Sequence, residues 1–310
     1  MRVVFLTNDE VGLACLDELI DLGADVRGVF TRPSADAAVD LPSFADRHDV
    51  PLYEVSVDAP EPRSRIDGCD PELLFAVGWS RLVDETILEL ASVAALGVHP
   101  APLPRGRGHD PVAWSLIKGL EETALSLFHL AEDPTAGDLV GQRSIEIEPT
   151  DDAAALREKV VEAARASIRA HYPAFERGEV PRTPQDEDEA TWWPKRDPRH
   201  GLVDWTRSPG EVHDWIRGLS RPHAGAFSYL HGRRVTLWAA DPPSDERVFC
   251  APGELLYRDG GALGVGAWEG VVELARVQVD GEDERPAATL LDREGVSFGD
   301  RFEAARDRLP

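Results

Sequence analysis

His99 stands at the end of an apolar run, Val93 to Val98, and opens the segment Pro100-Ala101-Pro102-Leu103-Pro104-Arg105-Gly106-Arg107-Gly108. The three prolines fix φ and remove backbone donors, while Gly106 and Gly108 allow conformations that let the loop bend. An imidazole that titrates near neutrality, held on a rigid loop after a strand, suits acid–base chemistry. The same composition also fits a connector whose histidine only caps a strand end. A second loop, Ala131-Glu132-Asp133-Pro134-Thr135-Ala136-Gly137-Asp138, joins two expected strands. Its carboxylates could orient an imidazole and raise its pKa. An ordinary acidic turn would have the same composition.

Other chemistries find little support. Thr7-Asn8-Asp9-Glu10 follows the first expected strand where a dinucleotide-binding chain would carry G-x-G-x-x-G, and neither a Walker A motif nor a G-x-S-x-G elbow is present. Cys15, Cys69 and Cys250 form neither a disulfide framework nor a zinc pattern, and no His/Cys/Asp/Glu spacing suits a metal. His129 and His171 read as isolated core or surface histidines. Neither a basic–apolar leader nor a membrane-length apolar run is seen, so a soluble, cytoplasmic protein without membrane contact is expected. The 310 residues carry a net charge of −24, and Lys118, Lys159 and Lys195 are the only lysines. Such a charge could repel polyanions such as tRNA, or keep a surface hydrated in a salty cytoplasm. An acid-rich, lysine-poor balance favours the second, a halophilic composition, and charge then says little about the partner.

The elements that must position these loops follow from apolar periodicity. Strands are expected at residues 2–7, 25–31, 51–55, 73–77 and 94–98, with helices after the first, at 44–48, around 83–90 and at 112–117. Strand–helix alternation implies a parallel sheet with helices on both faces, where sites form beyond the carboxyl ends of strands. His99 falls at such an end. A hairpin-like pair, 124–130 and 138–147, leads to a long helix near 153–176. Residues 177–197 are polar, acidic and proline-bearing. Beyond them come a helix near 209–219 and alternating segments at 226–230, 233–240, 253–257, 263–267 and 271–279. His231-Gly232 and Glu269-Gly270 are turn signals between them. The organisation expected is an α/β Rossmann-like domain at 1–178, an acidic linker at 179–197 and a small β-rich, barrel-like domain at 198–310.

Several ordered motifs resemble the folate-dependent formyltransferase family over nearly the whole chain. They are Val98-His99-Pro100 with Leu103-Pro104-Arg105-Gly106-Arg107-Gly108, Pro111-Val112-Ala113-Trp114, and Ala136-Gly137-Asp138-Leu139-Val140-Gly141-Gln142. Further along come Ala190-Thr191-Trp192-Trp193-Pro194-Lys195-Arg196, Val203-Asp204-Trp205, and Arg221-Pro222-His223-Ala224-Gly225-Ala226-Phe227-Ser228-Tyr229. The last is closer to the amino-sugar branch than to the methionyl-tRNA branch. The resemblance implies transfer of a formyl group from the co-substrate 10-formyltetrahydrofolate to a primary amine, without a metal. In the family, an N-x-H motif and a downstream aspartate form the catalytic trio. The asparagine donates to the oxyanion, the histidine stabilises it and moves protons, and the aspartate keeps the histidine charged.

His99 carries over, but Gly97 stands at the asparagine position and Thr135 at the aspartate position. Asp133 or Asp138 could supply the carboxylate, and His109 or a backbone N–H the donor. The resemblance further implies a folate-binding set of Phe75, Val77, Gly78, Trp79, Asp133 and Thr135. Its substrate loop would contain Pro102, Leu103, Arg105, Arg107 and His109. A nucleotide-linked amino sugar or similar small amine is the expected acceptor. The segment Arg32–Asp40, where the tRNA branch has a basic insertion, is short and acidic here and argues against tRNA. A methionyl-tRNA formyltransferase and a catalytically weak folate-binding protein remain the alternatives.

Overall fold

The computed structural model describes residues 1–32, 39–55, 60–79, 82–244 and 247–303. The interior of the acidic segment after the second strand, residues 33–38, lies outside them. Two compact units divide the chain. The first comprises Met1–Pro111, Thr123–Ile145 and Glu158–Trp193; the second comprises Val112–Glu122, Glu146–Arg157 and the chain from Pro194.

In chain order the first part runs β1 (Arg2–Leu6), α1 (Glu10–Asp21), β2 (Asp25–Thr31), α2 (Leu41–His48), β3 (Leu52–Glu54), α3 (Pro60–Gly68), β4 (Leu73–Ala76), α4 (Glu85–Leu88) and β5 (Ala94–His99). It continues with β6 (Arg107–Gly108), α5 (Pro111–Ile117), β7 (Glu122–His129), β8 (Leu139–Glu146), α6 (Ala153–Phe175) and β9 (Trp192–Trp193). The main sheet has the order β3-β2-β1-β4-β5-β7-β8. Its pairs from β3 to β5 are parallel, as strand–helix alternation requires. β7 then pairs antiparallel to β5, so the expected hairpin extends a parallel sheet into a mixed one.

The central strand Arg-Val-Val-Phe-Leu is buried after its first residue, the pattern of a strand covered on both faces. Val4, Leu6, Phe30, Val55, Ile66, Leu74 and Ile87 form one core cluster. Local signals place several helix starts: Asp9 Oδ1 accepts the Gly12 N–H at 2.9 Å, and Asp40 Oδ1 accepts that of Ser43 at 3.1 Å. The second cap starts α2 three residues earlier than periodicity suggested. Asp84 does the same for α4 and shortens the helix expected around 83–90. The helix α3 has a polar sequence that carries no periodic apolar signal.

The second unit contains α7 (Pro209–Leu219), β10 (Ala226–Leu230), β11 (Arg233–Ala240), β12 (Leu255–Asp259), β13 (Ala262–Ala267), β14 (Gly270–Val279) and β15 (Glu284–Pro286). All its strand pairs are antiparallel, in the order β10-β11-β14-β13-β12 with β15 beside β14. This is the β-rich domain expected. A capping box of Ser208 and Glu211 starts α7. His231 and Gly232 have φ of 49° and 75°, the two positive values a tight β10–β11 hairpin needs. The β13–β14 turn is Trp268-Glu269, one residue before the Glu269-Gly270 signal, because Gly270 already pairs with Ala267. Trp205 stacks on Phe302 at 5.2 Å within this unit's core. Among the described residues no helix is long and apolar enough to cross a membrane.

Candidate active site

His99 is the last residue of β5, opposite Ser126 of β7. The loop after it is fastened at its base. Ser126 Oγ donates to the Ala101 carbonyl at 2.6 Å and accepts the Leu103 N–H at 3.1 Å, while Gln142 Nε2 donates to Ser126 Oγ and the Leu103 carbonyl, both at 2.8 Å. Gly106 and Gly108 have φ of 73° and 103°. A Cβ on Gly106 would lie 2.8 Å from the Trp193 ring, and one on Gly108 only 2.3 Å from the Trp193 carbonyl oxygen. Only glycine meets both demands at these positions.

The acidic segment 179–193 lies along this loop within the first unit. β6 pairs with β9, and Thr183 bridges Leu139. Arg107, with 1 % of its side chain exposed, holds Glu187 through two bonds of 2.6 and 2.9 Å and the Gln185 Oε1 at 2.8 Å. Its guanidinium lies 5.2 Å from the Trp192 ring centroid. Arg105 pairs with Glu189. Gln185 Nε2 donates to the Thr135 carbonyl at 2.8 Å and the Gly137 carbonyl at 2.6 Å, so one side chain ties loop 131–138 to the arginine of the His99 loop. The residues expected to form a linker thus include the partners of both arginines in the substrate loop. Arg107 is committed inward, and Arg105 is exposed but paired.

His99 Nε2 lies 2.8 Å from the Gly106 carbonyl oxygen. A carbonyl only accepts, so Nε2 carries the hydrogen, and Nδ1 holds the lone pair of the neutral ring. Burial pushes the imidazole below its ordinary range; the field of His109 acts the same way, and the bond to Gly106 opposes both. No carboxylate is among the groups that shift it. The expectation that loop 131–138 would raise this pKa is therefore reversed. Asp133 is exposed, its carbonyl accepting the Ala136 N–H, and Asp138 Oδ2 lies 3.5 Å from Arg182 Nη1. Asp138 acts electrostatically on His129 rather than on His99. Thr135 sits in the turn with φ of 65°.

Gly97 occupies a closed slot. A Cβ there would meet Leu130 Cδ2 at 2.8 Å, the Ala76 carbonyl at 3.2 Å and the Phe128 ring at 3.3 Å. Of the other expected folate-binding residues, Phe75 and Val77 are fully buried, Phe75 stacking on Phe5 at 5.6 Å. Gly78 turns against the Asp9 side chain, and Trp79 packs on the core cluster with its buried Nε1 unpartnered. Pro102 is half-buried, Leu103 buried and His109 exposed.

Residue periodicity missed a cavity of about 300 Å³ in the first unit. Leu88, Ala95, His129, Leu130, Glu132 and Arg182 are among its walls. His129 pairs with Leu96, three residues before His99 on β5, or about 10 Å along the strand. The cavity and His99 are thus borne by one strand pair, and Leu130 separates the cavity from Gly97. β7 is buried along nearly its whole length, so its pattern carries no signal that His129 lines a cavity, and Arg182 comes from a segment remote in sequence. Among the described residues no group of His, Cys, Asp or Glu is arranged to hold a metal ion.

A histidine-ended strand in a Rossmann-like unit followed by an antiparallel β unit defines a two-domain α/β architecture. Residues 1–170 match the model of the formyl transferase domain, and residues 195–294 that of the formyl transferase C-terminal domain. The chain belongs to the formyl transferase family.

Solved structures share the fold. HypX from Aquifex aeolicus in complex with tetrahydrofolic acid is 23 % identical with a TM-score of 0.69, covering 96 % of this chain and 48 % of that one. The chain thus spans about half the length of the HypX chain it matches. WlaRD, a sugar 3N-formyl transferase solved in the presence of dTDP and 5-N-formyl-THF, is 10 % identical with a TM-score of 0.70, covering 91 % and 99 %. Methionyl-tRNA formyltransferase from Clostridium thermocellum is 16 % identical with a TM-score of 0.55, covering 78 % and 93 %.

Proposed function

We propose that this chain transfers a formyl group from 10-formyltetrahydrofolate to the primary amine of a small acceptor, an amino sugar carried on a nucleotide. The observation that carries the reading is His99, neutral and immobilised at the end of the strand pair that also walls the cavity. The cavity's lining fits a flat amino-heterocycle: Leu88 and Leu130 offer apolar walls, and the Glu132 carboxylate can accept N–H groups. The folate complexes of HypX and WlaRD support the same choice of co-substrate. The short acidic segment Arg32–Asp40 favours a small acceptor over tRNA.

The co-substrate supplies a formyl carbon bonded to N10. The acceptor nitrogen bonds to that carbon, the carbon–N10 bond breaks, and one proton passes from the amine to N10. Gly106 holds the Nε2 hydrogen of His99, so Nδ1 is the atom that takes the proton in transit, and a neutral ring is in the state to take it. His109, whose field reaches His99, stands in for the amide donor that Gly97 lacks.

A second reading, a folate-binding protein with little turnover, is favoured by the closed slot at Gly97 and by the positions of Asp133 and Asp138. Incubation with 10-formyltetrahydrofolate and nucleotide-linked amino sugars at high salt, following tetrahydrofolate release, separates the two. Turnover above a His99→Ala control supports transfer. Folate binding without such turnover establishes the second reading, and turnover with methionyl-tRNA alone replaces the acceptor.

A further inference from the structure

Gln185 is half-buried and uses its whole side-chain amide. Its Oε1 accepts from Arg107 Nη2 at 2.8 Å and from Arg107 Nε at 3.3 Å. Its Nε2 donates to the Thr135 carbonyl at 2.8 Å and to the Gly137 carbonyl at 2.6 Å. A guanidinium only donates and a carbonyl only accepts, so the oxygen must face Arg107 and the nitrogen the loop 131–138. Both ends of that loop are fixed: the Leu130 N–H donates to the Ala95 carbonyl, and Leu139 pairs with Thr183. Its interior is held differently. The Ala136 N–H turns back to the Asp133 carbonyl and the Thr135 hydroxyl to the Pro134 carbonyl. Among the described residues, the two bonds from Gln185 are the only hydrogen bonds joining residues 132–137 to the rest of the chain.

The conformation those bonds hold is one the loop would not keep unaided. Thr135 has a φ of 65°, a region that β-branched residues avoid and that persists where surrounding contacts over-determine it. Gly137 leaves no slack, since a Cβ there would lie 1.8 Å from the His129 carbonyl oxygen. Glu132 belongs to the same loop and lines the 300 Å³ cavity.

We propose that Gln185 is a positioning residue for formyl transfer. It pins the loop through the carbonyls of Thr135 and Gly137 and so sets where Glu132 stands in the cavity. It also makes that setting depend on Arg107, and thereby on the seating of the His99 loop. The inference rests on the folate reading above, in which Glu132 meets the co-substrate. The plainer role, a partner that satisfies a buried arginine, leaves half of the side chain unexplained. Glu187 already gives Arg107 a carboxylate through two bonds, so neutralising the guanidinium needs no amide. The donor half of Gln185 serves only the loop.

The test separates the two halves. Gln185→Glu keeps an oxygen for Arg107 and sets the other against two carbonyls that it cannot bond. Calorimetric titration of the full chain uses 5-formyltetrahydrofolate, a non-reacting probe, on wild type, Gln185→Glu, Glu132→Ala and the double variant. We expect Gln185→Glu to bind about tenfold more weakly at a Tm close to that of the wild type, the worth of one lost hydrogen bond. In the Glu132→Ala background the same change should cost less than about threefold, because a residue that acts through Glu132 has little left to act on. If Gln185→Glu does not fold, Gln185→Met is carried through the same cycle. Equal affinity of wild type and the Gln185 variant overturns the proposal, and so does a tenfold loss that persists unchanged without the Glu132 carboxylate. Either result leaves the folate reading standing. Wild-type protein that binds no folate overturns both.

Discussion

At the scale of single residues, the neutral state of His99 separates this site from the trio its family resemblance implies. A partner aspartate would hold the ring charged; here burial and His109 hold it neutral, so its work is proton acceptance through Nδ1. His99→Ala should therefore lower turnover by ~10²–10⁴. The kcat/KM of the wild type should be level above neutrality and fall as pH drops below 6.5 and the ring charges. A limb that instead rises on acidification would mean that a charged ring acts. Restoring the asparagine does not restore the family site. Gly97→Asn must displace Leu130 or Phe128, and overpacking of this kind costs about 1–3 kcal/mol. We expect a lower Tm and no gain in turnover; a variant that gains turnover at unchanged Tm would show the slot to be open.

At the scale of elements, the His99 loop is held by a segment whose composition suggested a solvated linker. Arg107, Gln185 and Glu187 form one network, and the Trp193 backbone fills the space over Gly108. A burial pattern could not reveal this, because Glu187 and Glu189 remain largely exposed while the cations they hold do not share that exposure equally. Gly108→Ala introduces a Cβ against the Trp193 carbonyl at a φ that L residues avoid. It should destabilise by more than ~1 kcal/mol, read as a lower urea midpoint, with part of the loss in turnover recovered by added folate if the loop alone loosens. An unchanged midpoint would detach this segment from the loop's geometry.

At the scale of the whole molecule, the net charge of −24 makes self-repulsion a general term in stability. Raising KCl from 0.1 to 1 M shortens the Debye length from ~10 to ~3 Å and should raise Tm. A Tm that falls with salt would sink the halophilic reading. The two buried histidines act in the opposite direction to this relief as the pH falls. His99 and His129 both have folded pKa values below 6.5, so the unfolded chain takes up their protons first. Their contribution is complete above 6.5 and is lost as pH falls through the depressed values. The urea midpoint at pH 5.5 should lie below that at pH 7.5, measured at fixed salt.

The strands β1, β2, β4 and β5, the helix α7 and the β10–β11 turn could be read from the sequence because their causes are local. They depend on apolar runs, a Ser-x-x-Glu cap and a His-Gly pair that accepts positive φ. The ordered motifs likewise identify the family and bring His99 forward. What surrounds His99 depends on residues far apart in the chain. The antiparallel turn of the sheet at β7, the strap of residues 179–193, the closure of Gly97 by Leu130 and the cavity beside His129 all arise from packing between segments that no spacing rule connects. The imidazole itself was legible as a site of proton chemistry. Its charge state was not, because desolvation and the nearness of Gly106 and His109 are properties of the folded chain.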